Sequence, residues 1–291
     1  MTLPTEDTRV SYPVGETVSA GVVMHLAPMD DGRTAVLLDR TAAHPIDTAW
    51  PDQPGDRGRM RWTGGEAAFV DTVTGGIHDG ELFLGAELPV RGGTEGWVFV
   101  VGHVLEAGPV PAVGDEVEVE VDAAHRHALS AGHTACHLAS LALDAALAEA
   151  WTKEVRGDAL GNPDFEGTAS QSSRIEPFGA DDSYRVGKSA RRAGFSPAAL
   201  DDPDAVAARA NALLEAWVAS GAAVRIERDG EAISDRRTWV CALPEGEARI
   251  PCGGTHLTSL AELAVITVAL ATAEVPGGLE LRMRTTAVPR G

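Results

Sequence analysis

Two short stretches, far apart in the chain, constrain it more than anything else: His133-Thr134-Ala135-Cys136-His137 and Cys252-Gly253-Gly254-Thr255-His256. The first lies in a run, 123–151, of helical composition with few breakers. Positions i and i+4 stack on one helix face, so His133 and His137 present two imidazoles to one point. The second follows a short extended run, 248–251, and its two glycines make it a tight turn. That turn offers a thiolate and an imidazole from close backbone approach. Three nitrogens and one sulfur form a ligand set suited to zinc. Either stretch alone says little: histidines four apart on a helix are common, and a single cysteine is usually a buried small hydrophobe.

The rest of the chain bounds the setting. With 291 residues, 44% hydrophobic and 23% charged, two globular domains are expected. No basic stretch followed by an apolar one opens the sequence, and no apolar run reaches membrane-spanning length. A cytoplasmic location without a membrane partner is therefore expected. Cys136, Cys241 and Cys252 cannot all pair, so reduced thiols are the better reading. The net charge of −19 argues against tight non-specific binding of nucleic acid over a large surface. It leaves room for a small basic patch gripping one end of an RNA.

Residues 1–15 read as an irregular lead-in. Short extended runs follow at 20–26, 34–38, 67–73, 81–84, 97–101 and 116–121, separated by Gly and Asp clusters. This spacing predicts a small antiparallel β-barrel or sandwich over about 1–110. Residues 45–58 look like a turn-rich connection, and His78 and His103 stand isolated in strand-like runs. A helix is expected at 122–152, with Leu138, Leu141 and Ala145 facing a core. Gly132 weakens that helix and predicts a bend or a late start. Asn162-Pro163-Asp164-Phe165 reads as a turn entering a strand. Arg185, Lys188, Arg191 and Arg192 concentrate positive charge in an acidic chain and, if helical, place 185, 188 and 192 on one face. The alternative is a solvated helix, or an ion-pair partner for Asp181 and Asp182. An amphipathic helix follows at 203–219, stopped by Gly221. Strands are expected at 223–227, 238–243, 248–250, 265–273 and 279–286, with a helical turn at 259–263. The whole is α+β, with helices on one face of an antiparallel sheet over about 111–291.

Taken together, the two metal-type stretches resemble the editing domain of alanyl- and threonyl-tRNA synthetases and its free-standing AlaX relatives. The resemblance extends to Asp39-Arg40-Thr41, to Gln53-Pro54-Gly55-Asp56-Arg57-Gly58, to the order Asp122, Arg126, His133, His137, and to Asp164-Phe165. It covers about 34–60 and 120–286 and is weakest over 166–200. It implies one Zn2+ held by His133, His137, Cys252 and His256. It also implies hydrolysis of the ester of a mischarged aminoacyl-tRNA, with Gly253 and Gly254 as backbone donors to the oxyanion and Cys136 near the amino acid. The same reading assigns RNA phosphates to Arg174, Arg185, Lys188, Arg191 and Arg192; no DNA partner is expected and the oligomeric state is left open.

Three departures are visible. Pro51-Asp52 replaces the family's glycine pair, Cys136 stands where threonine is common, and Trp151-Thr152-Lys153 occupies the region of an expected glutamine. These shift weight from any one amino acid to the class. Serine or glycine on alanine tRNA is one substrate. A threonine analogue such as fluorothreonine on threonine tRNA is another, since the chain is also similar to fluorothreonyl-tRNA deacylases. The alternatives are a metal-dependent hydrolase of a small ester or amide, and a non-catalytic tRNA-binding module.

Overall fold

In the computed structural model, which describes residues 3–47 and 50–291, the chain forms two compact units. One comprises Met1–Arg126, Ile226–Arg237 and Gly253–Thr255; the other His127–Arg225, Thr238–Cys252 and His256–Gly291. In chain order the strands are β1 (Arg9–Val10), β2 (Val18–Pro28), β3 (Thr34–Leu38), β4 (Arg40–Thr41), β5 (Gly58–Trp62), β6 (Gly65–His78), β7 (Glu81–Leu84), β8 (Val98–Leu105) and β9 (Glu116–Val121). Helix α1 (Ala123–Ala146) follows, then α2 (Phe165–Ala169), β10 (Ser170–Glu176), β11 (Gly179–Val186), α3 (Lys188–Ala193) and α4 (Pro203–Ser220). The chain closes with β12 (Val224–Arg228), β13 (Arg237–Leu243), β14 (Gly246–Pro251), β15 (Leu263–Val275) and β16 (Gly278–Pro289). The class is α+β with a large antiparallel sheet.

The first unit is built on that sheet, in the order β5-β9-β2-β3-β8-β6-β7, and β5 pairs with β6 as well. Alternation makes it. In β9 the valines 117, 119 and 121 point in and the glutamates 116, 118 and 120 point out. The valines join Val23, Val36, Leu38, Met60, Phe69 and Leu105 in one core. Strand β5 follows directly on the turn-rich connection, where no strand was expected: its Met60 is fully buried and its Arg59 and Arg61 face solvent. The turn residues before it hid a five-residue run too short to show a period.

A buried ion pair holds the connection before β5. Arg126 Nε donates to Asp56 Oδ1 at 2.8 Å, and Arg126 Nη2 bonds both Asp56 Oδ2 and the Ala42 carbonyl. The His44 backbone N–H also donates to Asp56 Oδ2, so three donors converge on this buried carboxylate. Removing Arg126 would leave a buried charge unmatched, at about 3–5 kcal/mol. Gly55 lets this loop lie against β6, since a Cβ there would stand 2.1 Å from the Thr72 carbonyl oxygen.

The second unit centres on the four-stranded antiparallel sheet β10-β11-β16-β15. One face is buried through Ile175, Ala180, Tyr184, Leu281, Met283, Ile266, Val268 and Leu270, and the opposite face is exposed. Leu129 and Cys136 of α1 pack on Ile175 and Ala180, while Asn211 of α4 grips edge strand β15 through both the Val268 N–H and carbonyl. Gly132 does not bend or delay α1, which runs unbroken from Ala123. Its missing side chain serves close approach: a Cβ would lie 2.3 Å from the Glu176 carbonyl oxygen and 2.5 Å from that of Gly179. Asp164, expected in a turn entering a strand, instead caps α2 by accepting from the Gly167 N–H. None of the helices among the described residues is long and apolar enough to cross a membrane.

Candidate metal centre

Two turns of one helix and the two ends of one loop supply the centre's four residues, each of which belongs to the second unit. α1 carries His133 and His137 on one face, with ring centroids 4.8 Å apart. Strand β14 ends at Pro251, and the chain then leaves the ladder to present Cys252 and, four residues on, His256. His256 lies 4.3 Å from His133 and 5.1 Å from His137, ring to ring. Cys252 Sγ stands 3.4 Å from His133 Nε2 and 3.3 Å from His256 Nε2. One donor atom from each of the four residues falls within 4.8 Å of the others.

The donors suit a zinc-type ion on two further counts. His137 Nε2 is buried with no hydrogen-bond partner, and a polar atom in that position costs about 1–3 kcal/mol unless something engages it. Burial also pushes the His137 imidazole down to about 4, so at neutral pH it is in the neutral form a metal requires. Trp239 of β13, fully buried, walls the site 5.0 Å from the His137 ring and 6.0 Å from that of His256. Nothing in the sequence marked this tryptophan, whose role follows from strand placement.

The turn between Cys252 and His256 has its own clamp, within the first unit. Gln53 Nε2 donates to Thr255 Oγ1 at 2.8 Å, and the Thr255 N–H donates to Gln53 Oε1 at 3.0 Å. Both residues are buried, which makes the pairing strongly defining for the Thr255 backbone. Gly253 is exposed and has no atom within 4 Å of where a Cβ would sit, so its backbone is open to approach. Gly254 is buried.

Cys136 is not among the converging donors. Its sulfur faces the β10–β11 hairpin, 3.6 and 3.7 Å from the two Asp182 carboxylate oxygens and 3.7 Å from Ser173 Oγ. Asp182 is buried, and burial raises its carboxyl to about 7. Sequence reasoning grouped Asp182 with Asp181 as partners of the cationic run. Instead the two point to opposite faces of β11, and Asp181 pairs with Arg284 at 3.2 Å. The alternating burial of β11 was the signal, weakened by the polar residue on its inner face.

The five expected cations are divided. Arg174 lies on β10 and Arg185 on β11, so Arg185 does not share a helix face with Lys188 and Arg192, which belong to α3 together with Arg191. Val186 ends the strand, and Gly187 opens the helix only afterwards. Arg185 and Arg191 both reach the β15–β16 turn, at the carbonyls of Pro276 and Gly277. Register places Arg174, Asp181 and Arg284 in one row across the exposed sheet face, with Ser172, Ser183 and Arg282 in the next. Arg282 and Arg284 also stand on this face, where Arg282 pairs with Glu280 and Arg284 with Glu176 and Asp181, as the Glu280, Arg282, Arg284 alternation allowed.

No protein-family model matches the chain. Over 108 residues, 37% of its length, it is 37% identical to alanine–tRNA ligase of Methanopyrus kandleri and 36% identical to that of Pyrobaculum neutrophilum. It is 32% identical over 103 residues to alanine–tRNA ligase of Caldivirga maquilingensis. The matched stretch spans only 9% of each of these relatives. The resemblance to alanyl-tRNA synthetases drawn from the two metal-type stretches is thus present as a segmental relationship.

Proposed function

We propose, from a chain related over one segment to alanine–tRNA ligases, that this protein is a zinc-dependent hydrolase of mischarged aminoacyl-tRNA. It would cleave the ester joining the amino acid to the terminal ribose, acting in trans. The observation that carries the reading is the convergence of His133, His137, Cys252 and His256, with His137 Nε2 buried and unpartnered. Zinc bound there supplies Lewis acidity toward an ester carbonyl or a water. Gly253 and Gly254 are the candidate backbone N–H donors to the developing oxyanion. Cys136, with Asp182 and Ser173 behind it, sets the polarity of the pocket for the amino acid side chain, where one changed polar contact alters selectivity by orders of magnitude. Serine or glycine on alanine tRNA and a threonine analogue on threonine tRNA are the two substrate classes.

The RNA is taken by Arg174 and Arg185 of the sheet and by Lys188, Arg191 and Arg192 of α3. We take about 1–110, with its ring of paired strands, as a small β-barrel domain, and about 111–291 as the deacylase domain. The net charge of −19 favours one other reading, a hydrolase of small esters or amides that never meets RNA.

The deciding experiment measures release of amino acid from a panel of mischarged tRNAs, with and without a zinc chelator, beside acyl esters that lack RNA. Chelator-sensitive deacylation of one or a few aminoacyl-tRNAs supports the proposal. Turnover of the RNA-free esters alone would replace it with the second reading. In the same panel Cys136→Thr should keep its zinc and change which amino acid is preferred.

A further inference from the structure

We infer that Thr134 is a positioning residue that selects the metal-binding tautomer of His256; the inference rests on the metal reading proposed above. Thr134 lies one residue after His133 on α1 and is fully buried. Its hydroxyl oxygen stands 3.3 Å from His256 Nδ1 and accepts the Leu257 backbone N–H at 3.1 Å. The other nitrogen of the same ring, Nε2, points to Cys252 Sγ at 3.3 Å. Nδ1 therefore meets an oxygen on the helix, and Nε2 meets the group of donors.

A neutral imidazole carries one proton, on one nitrogen or the other, and the hydrogen bond made at one nitrogen decides which lone pair the other offers. A hydroxyl oxygen has two lone pairs. One receives the Leu257 N–H, and the second receives an Nδ1 proton when the hydroxyl turns its own hydrogen away from the ring. With the Nδ1 proton donated to Thr134, Nε2 is left unprotonated beside Cys252, in the form that can ligate. The reverse tautomer would aim an N–H at the other donors and keep His256 from joining them. Leu257 directly follows His256, so the bond to its N–H also fixes the backbone on which the ring turns. Threonine thus sets both ring orientation and proton position, and it does so from the helix that carries the other two histidines. Outer hydrogen bonds of this kind change metal affinity by about 10–100-fold when removed.

Thr134→Val keeps shape and removes the acceptor, whereas Thr134→Ser keeps the acceptor. Zinc affinity is measured by chelator competition at fixed pH, and Co2+ absorption reports ligand geometry in the same samples. Thr134→Val should bind zinc 10–100-fold more weakly than the parent protein, with an altered Co2+ spectrum. Thr134→Ser should stay within about twofold, since it retains the acceptor. Equal affinity in parent and valine variant, or an equal loss in serine and valine variants, would overturn the inference. If the valine variant does not fold, 15N NMR of the zinc-free parent protein still decides. A proton on His256 Nδ1 supports the inference, and a proton on Nε2 overturns it. A parent protein that binds no zinc at all would instead overturn the metal reading, and with it the premise here.

Discussion

Gly132→Ala sets two known effects against each other at one position. Glycine in a helix interior is worse than alanine by about 1 kcal/mol, so on helix propensity alone the substitution stabilises. The new Cβ, however, would sit 2.3 Å from the Glu176 carbonyl oxygen, 2.5 Å from the Gly179 carbonyl oxygen and 2.9 Å from the Gly179 nitrogen. All three neighbours are backbone atoms of the β10–β11 hairpin, which cannot rotate away as a side chain would. Relief requires α1 to lift from the hairpin by roughly an ångström, loosening the packing of Leu129 and Cys136 on Ile175 and Ala180. Overpacking of this kind costs about 1–3 kcal/mol and more where backbone meets backbone. Steric overlap therefore wins, and the net loss should be about 2 kcal/mol, a fall in Tm of roughly 4–8 °C. Because His133 follows Gly132 directly, zinc affinity should fall as well. Urea unfolding and thermal scanning of the zinc-free protein measure the first effect, and chelator competition the second. A Gly132→Ala variant as stable as the parent would refute the reasoning, showing that α1 does not rest on the hairpin as described.

Protein purified without added metal should carry one zinc per chain by elemental analysis, and His137→Ala should lose metal and activity together. Asp182 supplies a pH test. Its folded carboxyl is raised to about 7 by burial, above its value in the unfolded chain, so the folded state binds the proton more tightly. The associated stability is fully present at low pH and is lost as pH rises from about 4 through 7, by on the order of a few kcal/mol. Asp182→Asn should flatten the stability–pH curve across that window; an unchanged slope would show that Asp182 is ionised in the fold. Neutralising Arg191 and Arg192 should reduce the salt slope of tRNA binding by about two units and leave zinc content unchanged. Unchanged affinity at every salt concentration would show the RNA to approach elsewhere.

Local pattern determined a good part of this molecule. The period-two alternation of Glu116–Val121 specifies a strand with one wet face, and the four-residue spacing of His133 and His137 specifies two imidazoles on one side of a helix. Gly253 and Gly254 specify a turn. These follow from backbone geometry, which repeats over two or 3.6 residues and is therefore legible in a single sequence. What needed the tertiary structure were the pairings between positions far apart in the chain, because nothing local states which side chain will meet which. Gln53 and Thr255 are 202 residues apart, yet they make two mutual hydrogen bonds. Gly132 read as a weak point in a helix until the hairpin backbone lay against it. Asp182 read as half of a surface acidic pair until the sheet turned it inward against Cys136. Thr134 sits on the helix between two histidines, and only the return of the chain brings His256 to its hydroxyl. A residue's propensity is a property of its own backbone, but its partner, its burial and its proton are properties of the space the whole fold encloses.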